Sequence, residues 1–329
     1  MNFPKGFFQE ETKWDFTISE MMKRAWAAEL EVYEVIDTIC RKHNIKYFAC
    51  GGTLIGAIRH QGFIPWDDDM DLTMLREDYN RFIEVLPDEL PDGFVISGMY
   101  ANCERLQSAN LSTQLRIIAD EEYFSFPMYL NRFHGFPYFR IGIDIFPLDY
   151  ISKDRQLFDF QRQVMHAIHF TIQNWDLYIK EGQLESQIQE IERACDVSLD
   201  RNANMKTQLL LLWDQVAQLA NPNECDEVTN FHYSAESKHW PFHDRQKSWY
   251  ATALSTPYEF TTMQIPIQYE EVLNHTAGDW RTPIKFASDH EYPFYKNQEA
   301  ELRRMFDHDG LTVSIEEFCR NWQHANGAE

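Results

Sequence analysis

The chain has 329 residues, 44% of them hydrophobic and 15% aromatic, and a formal net charge of -22 at pH 7. That is enough apolar material for one large packed domain or two smaller ones, whereas the acidic surface repels polyanions and argues against nucleic acid as a partner. The longest uninterrupted apolar run, Leu209 to Trp213, falls far short of the roughly 20 residues of a spanning helix, so no transmembrane segment is expected.

The N-terminus MNFPKGFFQEETKW lacks the basic start and long apolar centre of a signal peptide, which makes the cytoplasm the default compartment. Phe3, Phe7, Phe8, Trp14 and Phe16 suggest an arm laid on the body. Thr17 with Glu20 forms a capping-box pattern, and Met22, Trp26, Leu30, Tyr33, Ile36 and Cys40 recur at helical spacing, predicting a long amphipathic helix that ends near Asn44. Then comes IKYFACGGTLIGAIRHQGFIPWDDDMDLTM, Ile45 to Met74. Tyr47 to Cys50 reads as a buried strand running through Gly51, Gly52 and Thr53 into a short helix, Leu54 to His60. Glycines at such a turn let backbone approach a phosphate, and the helix N-terminus offers free N–H groups. Asp69 and Asp71 alternate with Met70, Leu72 and Met74, so on a strand both carboxylates share one face. Two acids side by side call for a cation, and Mg²⁺ takes one or two carboxylates plus substrate phosphates.

The order strand, glycine pair, helix, loop and D-x-D strand resembles the nucleotidyltransferase fold. The wording GGTLIGAIRHQGFIPWDDDMDL is similar to the LicD family of phosphocholine transferases, to which the fukutin-type transferases are related. The likeness covers about residues 30 to 150 and returns near the C-terminus in YEEVLNHTAGDWRTP, Tyr269 to Pro283, where Ala277 replaces a usual tyrosine and Gly278-Asp279-Trp280 is kept. The resemblance implies an α/β (α+β) fold, a mixed sheet flanked by helices with a helical insertion.

Downstream, Glu77 to Leu86 reads as a helix stopping at Pro87, followed by strands at Phe94 to Ser97 and Gln114 to Ala119. Arg116 is either a surface cation on an edge strand or a cleft cation aimed at phosphate. The aromatic loop Tyr123 to Tyr138 is long enough to suggest a lid or acceptor surface. In Ile141 to Asp149 three isoleucines share one face and Asp144 takes the other, a costly choice for an acid without a partner. In the family this segment supplies the third metal carboxylate, a role carried to Asp144; Asp149, after Pro147, reads as a turn or helix-capping acid. Residues 153 to 220 read as three helices, with His166 and His169 as ordinary helix residues. Cys225, His232, His239 and His243 could form a zinc site only at a spacing that matches no standard pattern. Short extended segments follow at Trp249-Tyr250, Tyr258 to Phe260 and Ile265 to Ile267, then a short helix from Tyr269. Asp279, Trp280 and Arg281 make either a packing turn or a substrate contact, and helices are expected at 298–305 and 313–324. The six cysteines lack a C-x-x-C pair and read as free thiols. The predicted layout is a catalytic core over 1–150, a helical subdomain over 151–247 and a C-terminal segment, 248–329, returning to the core.

Taken with the resemblance, Asp69, Asp71 and Asp144 are expected to hold Mg²⁺ or Mn²⁺. Gly51, Gly52, Thr53, Arg59 and Arg116 are expected at the phosphates, with Asp67, Asp68 and His60 nearby as loop or supporting residues. The implied donor is CDP-choline or another CDP-alcohol. The implied acceptor is a hydroxyl of a cell-surface glycan, a teichoic-acid precursor or lipopolysaccharide, met in the cytoplasm or peripherally at the inner membrane face. Phe124, Phe126, Tyr129, Trp249 and Tyr250 are candidates for an aromatic cage around a quaternary ammonium. Two other readings use the same residues: a nucleotidylyltransferase that leaves the nucleotide on its acceptor, and a catalytically silent binding module.

Overall fold

A computed structural model describes residues 1–4, 6–139, 141–231, 244–285, 292–296, 298, 317 and 321. The N-terminal arm is a hairpin of β1 (Glu11–Lys13) and β2 (Phe16–Ile18), with Phe3 packed on Phe7, Phe8 and Phe260. Helix α1 (Glu20–His43) follows, capped by Ser19, whose hydroxyl accepts the Met22 amide at 3.2 Å. The cap is therefore not Thr17, which is consumed in β2. Asn44, in the left-handed conformation, ends the helix where the sequence places its end.

The main sheet runs β3 (Phe48–Ala49), β4 (Asp71–Leu75), β7 (Gly142–Tyr150), β6 (Leu115–Ala119) and β5 (Phe94–Ser97) in that spatial order. Only β4 and β7 are parallel within this row; the other pairs are antiparallel. The last two residues of β7 continue the sheet through β8 (Glu227–Thr229) to β9 (Arg245–Gln246). This is the mixed α/β sheet the sequence predicts. Alternation holds as well, since Met70, Leu72, Met74, Ile141, Ile143 and Ile145 are all buried in one continuous core.

Between β3 and β4 the chain forms α2 (Gly51–Ile55), which passes into a π-helical turn, Gly56–His60. Helix α3 (Arg76–Glu89) runs two residues beyond Pro87, because a proline in the last turn forfeits only one hydrogen bond. After α4 (Glu104–Ala109) and β6, the aromatic stretch 123–138 is not a lid. It folds around α5 (Phe126–Arg132), and Tyr129, Phe133, Phe136 and Tyr138 are buried in the main core. Phe124 and Tyr250 are core residues too, so the aromatics proposed as a cage are mostly occupied in packing.

Four helices rather than three follow: α6 (Arg155–Gln173), α7 (Trp175–Glu181), α8 (Leu184–Cys195) and α9 (Met205–Ala217), with a break at Asn174. They build a separate hydrophobic cluster around Phe158, Ile168, Leu209 and Trp213. Asp149 is a further correction. It is no cap but a buried strand acid 2.6 Å from Arg76, which also meets Asp214 of α9 at 2.7 Å. Trp249-Tyr250 lies in a 3-10 turn, Lys247–Tyr250, before the hairpin β10 (Ala253–Tyr258) and β11 (Thr261–Pro266) and helix α10 (Tyr269–Thr276). His232, His239 and His243 lie outside the described residues, as do the expected C-terminal helices apart from Gln298, Glu317 and Asn321. Cys40, Cys50, Cys103, Cys195 and Cys225 are free, Cys103 being exposed; no described helix is long and apolar enough to cross a membrane.

One buried acid ties α1 to the aromatic stretch. Glu31 receives the N-terminal ammonium at 2.8 Å, His134 at 2.7 Å and Arg132. Burial alone would raise its pKa, but these hydrogen bonds and charges outweigh burial and hold it at about 2, against an ordinary 4.5. A depressed folded-state pKa means stabilisation that is full above pH 4.5 and is lost as pH falls towards 2. Glu31→Gln is accordingly expected to flatten the acid limb of a melting-temperature against pH curve; an unchanged limb would remove Glu31 from that role.

Candidate active site

The site forms where β3 ends and β4 begins. Gly51 adopts φ +53°, a left-handed conformation that side chains resist, and it turns the chain from β3 into α2. The backbone of Gly52 is approached so closely that a Cβ there would sit 2.3 Å from Oδ2 of Asp67. Thr53, buried at the start of α2, accepts the Asp71 amide on Oγ1 at 2.8 Å, leaving its hydroxyl proton free to donate. This bond fixes the first residue of β4 against the glycine turn.

The parallel register of β4 and β7 sets Asp71 opposite Asp144, and the antiparallel register of β6 and β7 sets Arg116 opposite Asp144. Cross-strand partners project to the same side of a sheet, so two carboxylates and a guanidinium share one face. Arg116 Nε stands 3.5 Å from Asp144 Oδ1, an ion pair longer than a hydrogen bond, while Gln114 Nε2 donates to Asp144 Oδ2 at 3.3 Å. Arg116 thus lies beside Asp144 on an inner strand, not on an edge, β6 being flanked by β5 and β7.

Strand β4 starts at Asp71, so Asp69 belongs to the segment leading into it. Asp67 is no bystander loop acid. A turn closed by its amide on Ile64 O at 2.9 Å, with Trp26 Nε1 bonded to its carbonyl at 3.0 Å, seats it beside Gly52, within hydrogen-bond reach of Asp69. Oxygens from Asp67, Asp68 and Asp69 lie within 4.8 Å of one another. Asp68 also accepts the Phe294 amide on Oδ2 at 2.5 Å, which anchors a distant piece of chain.

These carboxylates disturb one another. Burial first, then the charges of Asp69, Asp144 and Asp67, push the Asp71 carboxyl well above the usual carboxylate range, and Arg116 only partly compensates. Asp67 is pushed up likewise by burial, Asp69 and Asp68. Asp144 Oδ1 is buried without a hydrogen-bond partner among the described residues. An all-oxygen donor set that is mutually repulsive and incompletely bonded fits a hard divalent cation, which would bring these acids back to the ionised form.

Beside the acids a pocket of about 270 Å³ is lined by Gly52, Arg59, Trp66, Asp67, Asp279 and Trp280, among others. The C-terminal Gly-Asp-Trp segment is therefore brought to the site. Arg59 Nη1 donates to the Trp280 carbonyl at 2.5 Å and its Nε to His60 Nε2 at 2.9 Å. Burial, then Arg59, hold His60 down to about 4, so its neutral ring accepts the Arg59 Nε–H on Nε2. Arg281 lies outside, its guanidinium 4.2 Å from the Trp280 ring centroid.

Two contributors escaped the sequence reading: Gln114, which orients Asp144, and Glu29 of α1. Glu29 is 2% exposed, and burial followed by the charges of Asp69, Asp68 and Asp67 pushes its carboxyl well up. The signal was present, since Glu29 sits three residues after Trp26 on the stripe of α1 that faces the core.

Gly52→Ala is expected to displace the Asp67 carboxylate by about an ångström, because a Cβ there would meet Asp67 Oδ2 at 2.3 Å. A crystal structure of the variant would check it, and an unmoved Asp67 side chain would show that the turn itself gives way.

Residues 44–105 match the family model described as LicD/FKTN/FKRP, nucleotidyltransferase domain. Over 56 residues the chain is 52% identical to the lipopolysaccharide cholinephosphotransferase LicD of Haemophilus influenzae, which covers 17% of this chain and 21% of that protein. It is 48% identical over 61 residues to an uncharacterized protein of Rickettsia typhi (18% of this chain, 20% of the relative). A similar protein of Rickettsia prowazekii is 42% identical over 71 residues (21% and 27%). The matches thus span between a fifth and just over a quarter of these relatives, and the family-model match contains the glycine turn and the acids 67 to 71.

Proposed function

Starting from residues 44–105 as a LicD-family nucleotidyltransferase segment, we propose that the protein is a divalent-metal-dependent transferase. It moves a phosphoalcohol group of the phosphocholine type from a CDP-alcohol to a hydroxyl of a cell-surface glycan, of the lipopolysaccharide or teichoic-acid kind, and releases CMP. The reaction takes place in the cytoplasm, with peripheral contact at the membrane where the acceptor is lipid-linked. The observation that carries the reading is the register pairing of Asp71 with Asp144, next to Asp69 and the Gly51-Gly52-Thr53 turn.

Asp69, Asp71 and Asp144 would hold Mg²⁺ or Mn²⁺. Such an ion would supply positive charge for the diphosphate and the departing CMP. The chain's own residues do the rest. The free N–H groups at the start of α2 and the Thr53 hydroxyl receive phosphate oxygens. Arg116, across from Asp144, supplies fixed positive charge to an otherwise acidic cleft, and Arg59 reaches the adjoining pocket from its anchor on Trp280. Asp144, bonded by Gln114 through Oδ2, either shares the ion or takes the proton of the attacking hydroxyl.

Incubation with Mg²⁺ and a panel of CDP-alcohols tests the reading. Release of CMP with the alcohol phosphate appearing on an acceptor is the expected result. Release of pyrophosphate from CTP would instead establish a nucleotidylyltransferase, and turnover of neither donor would leave a binding module.

A further inference from the structure

The β1–β2 hairpin reverses in two residues, Trp14 and Asp15, between the paired Lys13 and Phe16, and both have φ +54°. A two-residue hairpin demands that conformation and ordinarily fills it with Asn-Gly or Asp-Gly, because other side chains at positive φ crowd the following carbonyl. Asp15 suits the turn; Trp14 works against it. Nor is the ring repaid by burial, being 53% exposed. What it gains is a position. Trp14 stands edge to face with His60, centroids 5.1 Å apart at 73°, and His60 stands likewise with Trp66 at 6.1 Å and 84°. His60 accepts the Arg59 Nε–H, and Arg59 and Trp66 line the pocket beside the acids. Lys285 ties the hairpin tip to that rim: its Nζ donates to the Asp15 carbonyl at 3.1 Å and lies 5.8 Å from the Trp66 ring centroid.

We propose that Trp14 is the stacking platform for a sugar ring of the acceptor, at the mouth of the pocket lined by Arg59 and Trp66. A pyranose presents flat patches of C–H groups that lie against an aromatic face through burial and dispersion. Its hydroxyls then need donors and acceptors at the edge. Lys285 supplies the first kind, Asp279 the second and Thr282 both; Asp279 and Thr282, joined at 2.7 Å, line the pocket. An uncharged ring also suits a chain of net charge -22 better than a polyanion does. A single exposed apolar side chain is ordinary on a surface, but a tryptophan kept at positive φ, set against the ring that supports Arg59, is placed there at a conformational cost that burial does not explain. The hairpin lies outside residues 44–105, so the platform belongs to this chain's own N-terminal arm. The proposal deepens the proposed function and rests on it for the acceptor being a glycan.

The test is calorimetric titration of the full chain, without donor, with oligosaccharides of glucose, galactose and N-acetylglucosamine and with the sugar chain released from lipopolysaccharide. Wild type is expected to bind at least one of them. W14N, whose side chain suits the left-handed turn, should stay folded by its melting temperature and bind about 10- to 30-fold more weakly, the usual range for truncating an aromatic anchor. W14F, which keeps a ring, should stay within about threefold of wild type. The fluorescence that wild type has in excess of W14F isolates Trp14 among nine tryptophans, and it should change when the sugar is added. In turnover with Mg²⁺ and CDP-choline, W14N should raise KM for the sugar and leave KM for CDP-choline unmoved. Equal affinity in W14N and wild type overturns the proposal, as does a Trp14 signal that no sugar moves. A Trp14 signal that responds only to vesicles of phosphatidylethanolamine and phosphatidylglycerol overturns it too, in favour of a membrane contact. Sugar binding that depends on Trp14, with no CMP released from any CDP-alcohol, leaves the platform standing and removes the phosphoalcohol reading.

Discussion

For the proposed reaction, Asp71→Asn is expected to lower kcat/KM for CMP release by roughly a thousandfold, with no loss of folded protein. A ligated ion contributes several kcal/mol of charge stabilisation in phosphoryl transfer, and at about 1.4 kcal/mol per tenfold the loss of the ligand proposed as central falls in that range. Asp71 is central because it is both the cross-strand partner of Asp144 and the residue whose amide Thr53 holds. Folding should survive, since asparagine is isosteric and the substitution removes one of several mutually repelling carboxylates. The apo melting temperature should stay level or rise, whereas the increase on adding Mg²⁺ should shrink. Near-normal activity in this variant would mean that the ion-binding assignment is misplaced, whatever reaction the protein catalyses.

The parts of this site that could be read from sequence are those in which local order dictates geometry. A strand, two glycines and a helix in that order dictate a tight turn with the helix N-terminus at its edge, and alternation of acid with apolar residues places Asp71 on the face opposite Leu72. The same logic set Asp144 apart from its isoleucines. What could not be read was set by contacts distant in the chain. Asp149 looked like a cap because Pro147 suggested that the strand had ended, yet β7 continues to Tyr150, and the partner that justifies the buried acid is Arg76. Glu29 was passed over because a helical stripe is traced through its apolar members. Its place one turn past Trp26 marks it as core-facing, but nothing within α1 indicates that the charges of Asp69, Asp68 and Asp67 act on it. Aromatic residues posed the opposite difficulty: Tyr129 and Tyr250 were plausible in a cage, but a core uses the same chemistry, and only packing distinguishes the two. Trp66 and Trp280, which do line the pocket beside the acids, gave no stronger signal than the others.

Arg76 carries the largest expected effect on stability. It opens α3 at the end of β4, and its guanidinium meets Asp149 on β7 and Asp214 on α9. Burial alone would favour release of its proton, but the two carboxylates outweigh that and keep it charged. It therefore links the main core to the helical cluster of α6 to α9 by charge. Arg76→Ala would leave Asp149 and Asp214 facing each other without a counterion, and removal of one member of such a group costs about 3–5 kcal/mol. Urea denaturation followed by far-ultraviolet circular dichroism would measure it. The triple replacement Arg76→Met, Asp149→Leu and Asp214→Leu discriminates between two roles for the group. An apolar triad of similar volume should recover the loss, and in comparable sites has exceeded the ionic original by roughly 1–4 kcal/mol. Recovery would mean that Arg76 is destabilising to remove chiefly because of the charges it leaves behind. If the triple variant stayed as unstable as Arg76→Ala, the charged group would instead be holding α9 in its docked position by geometry that leucine and methionine cannot reproduce.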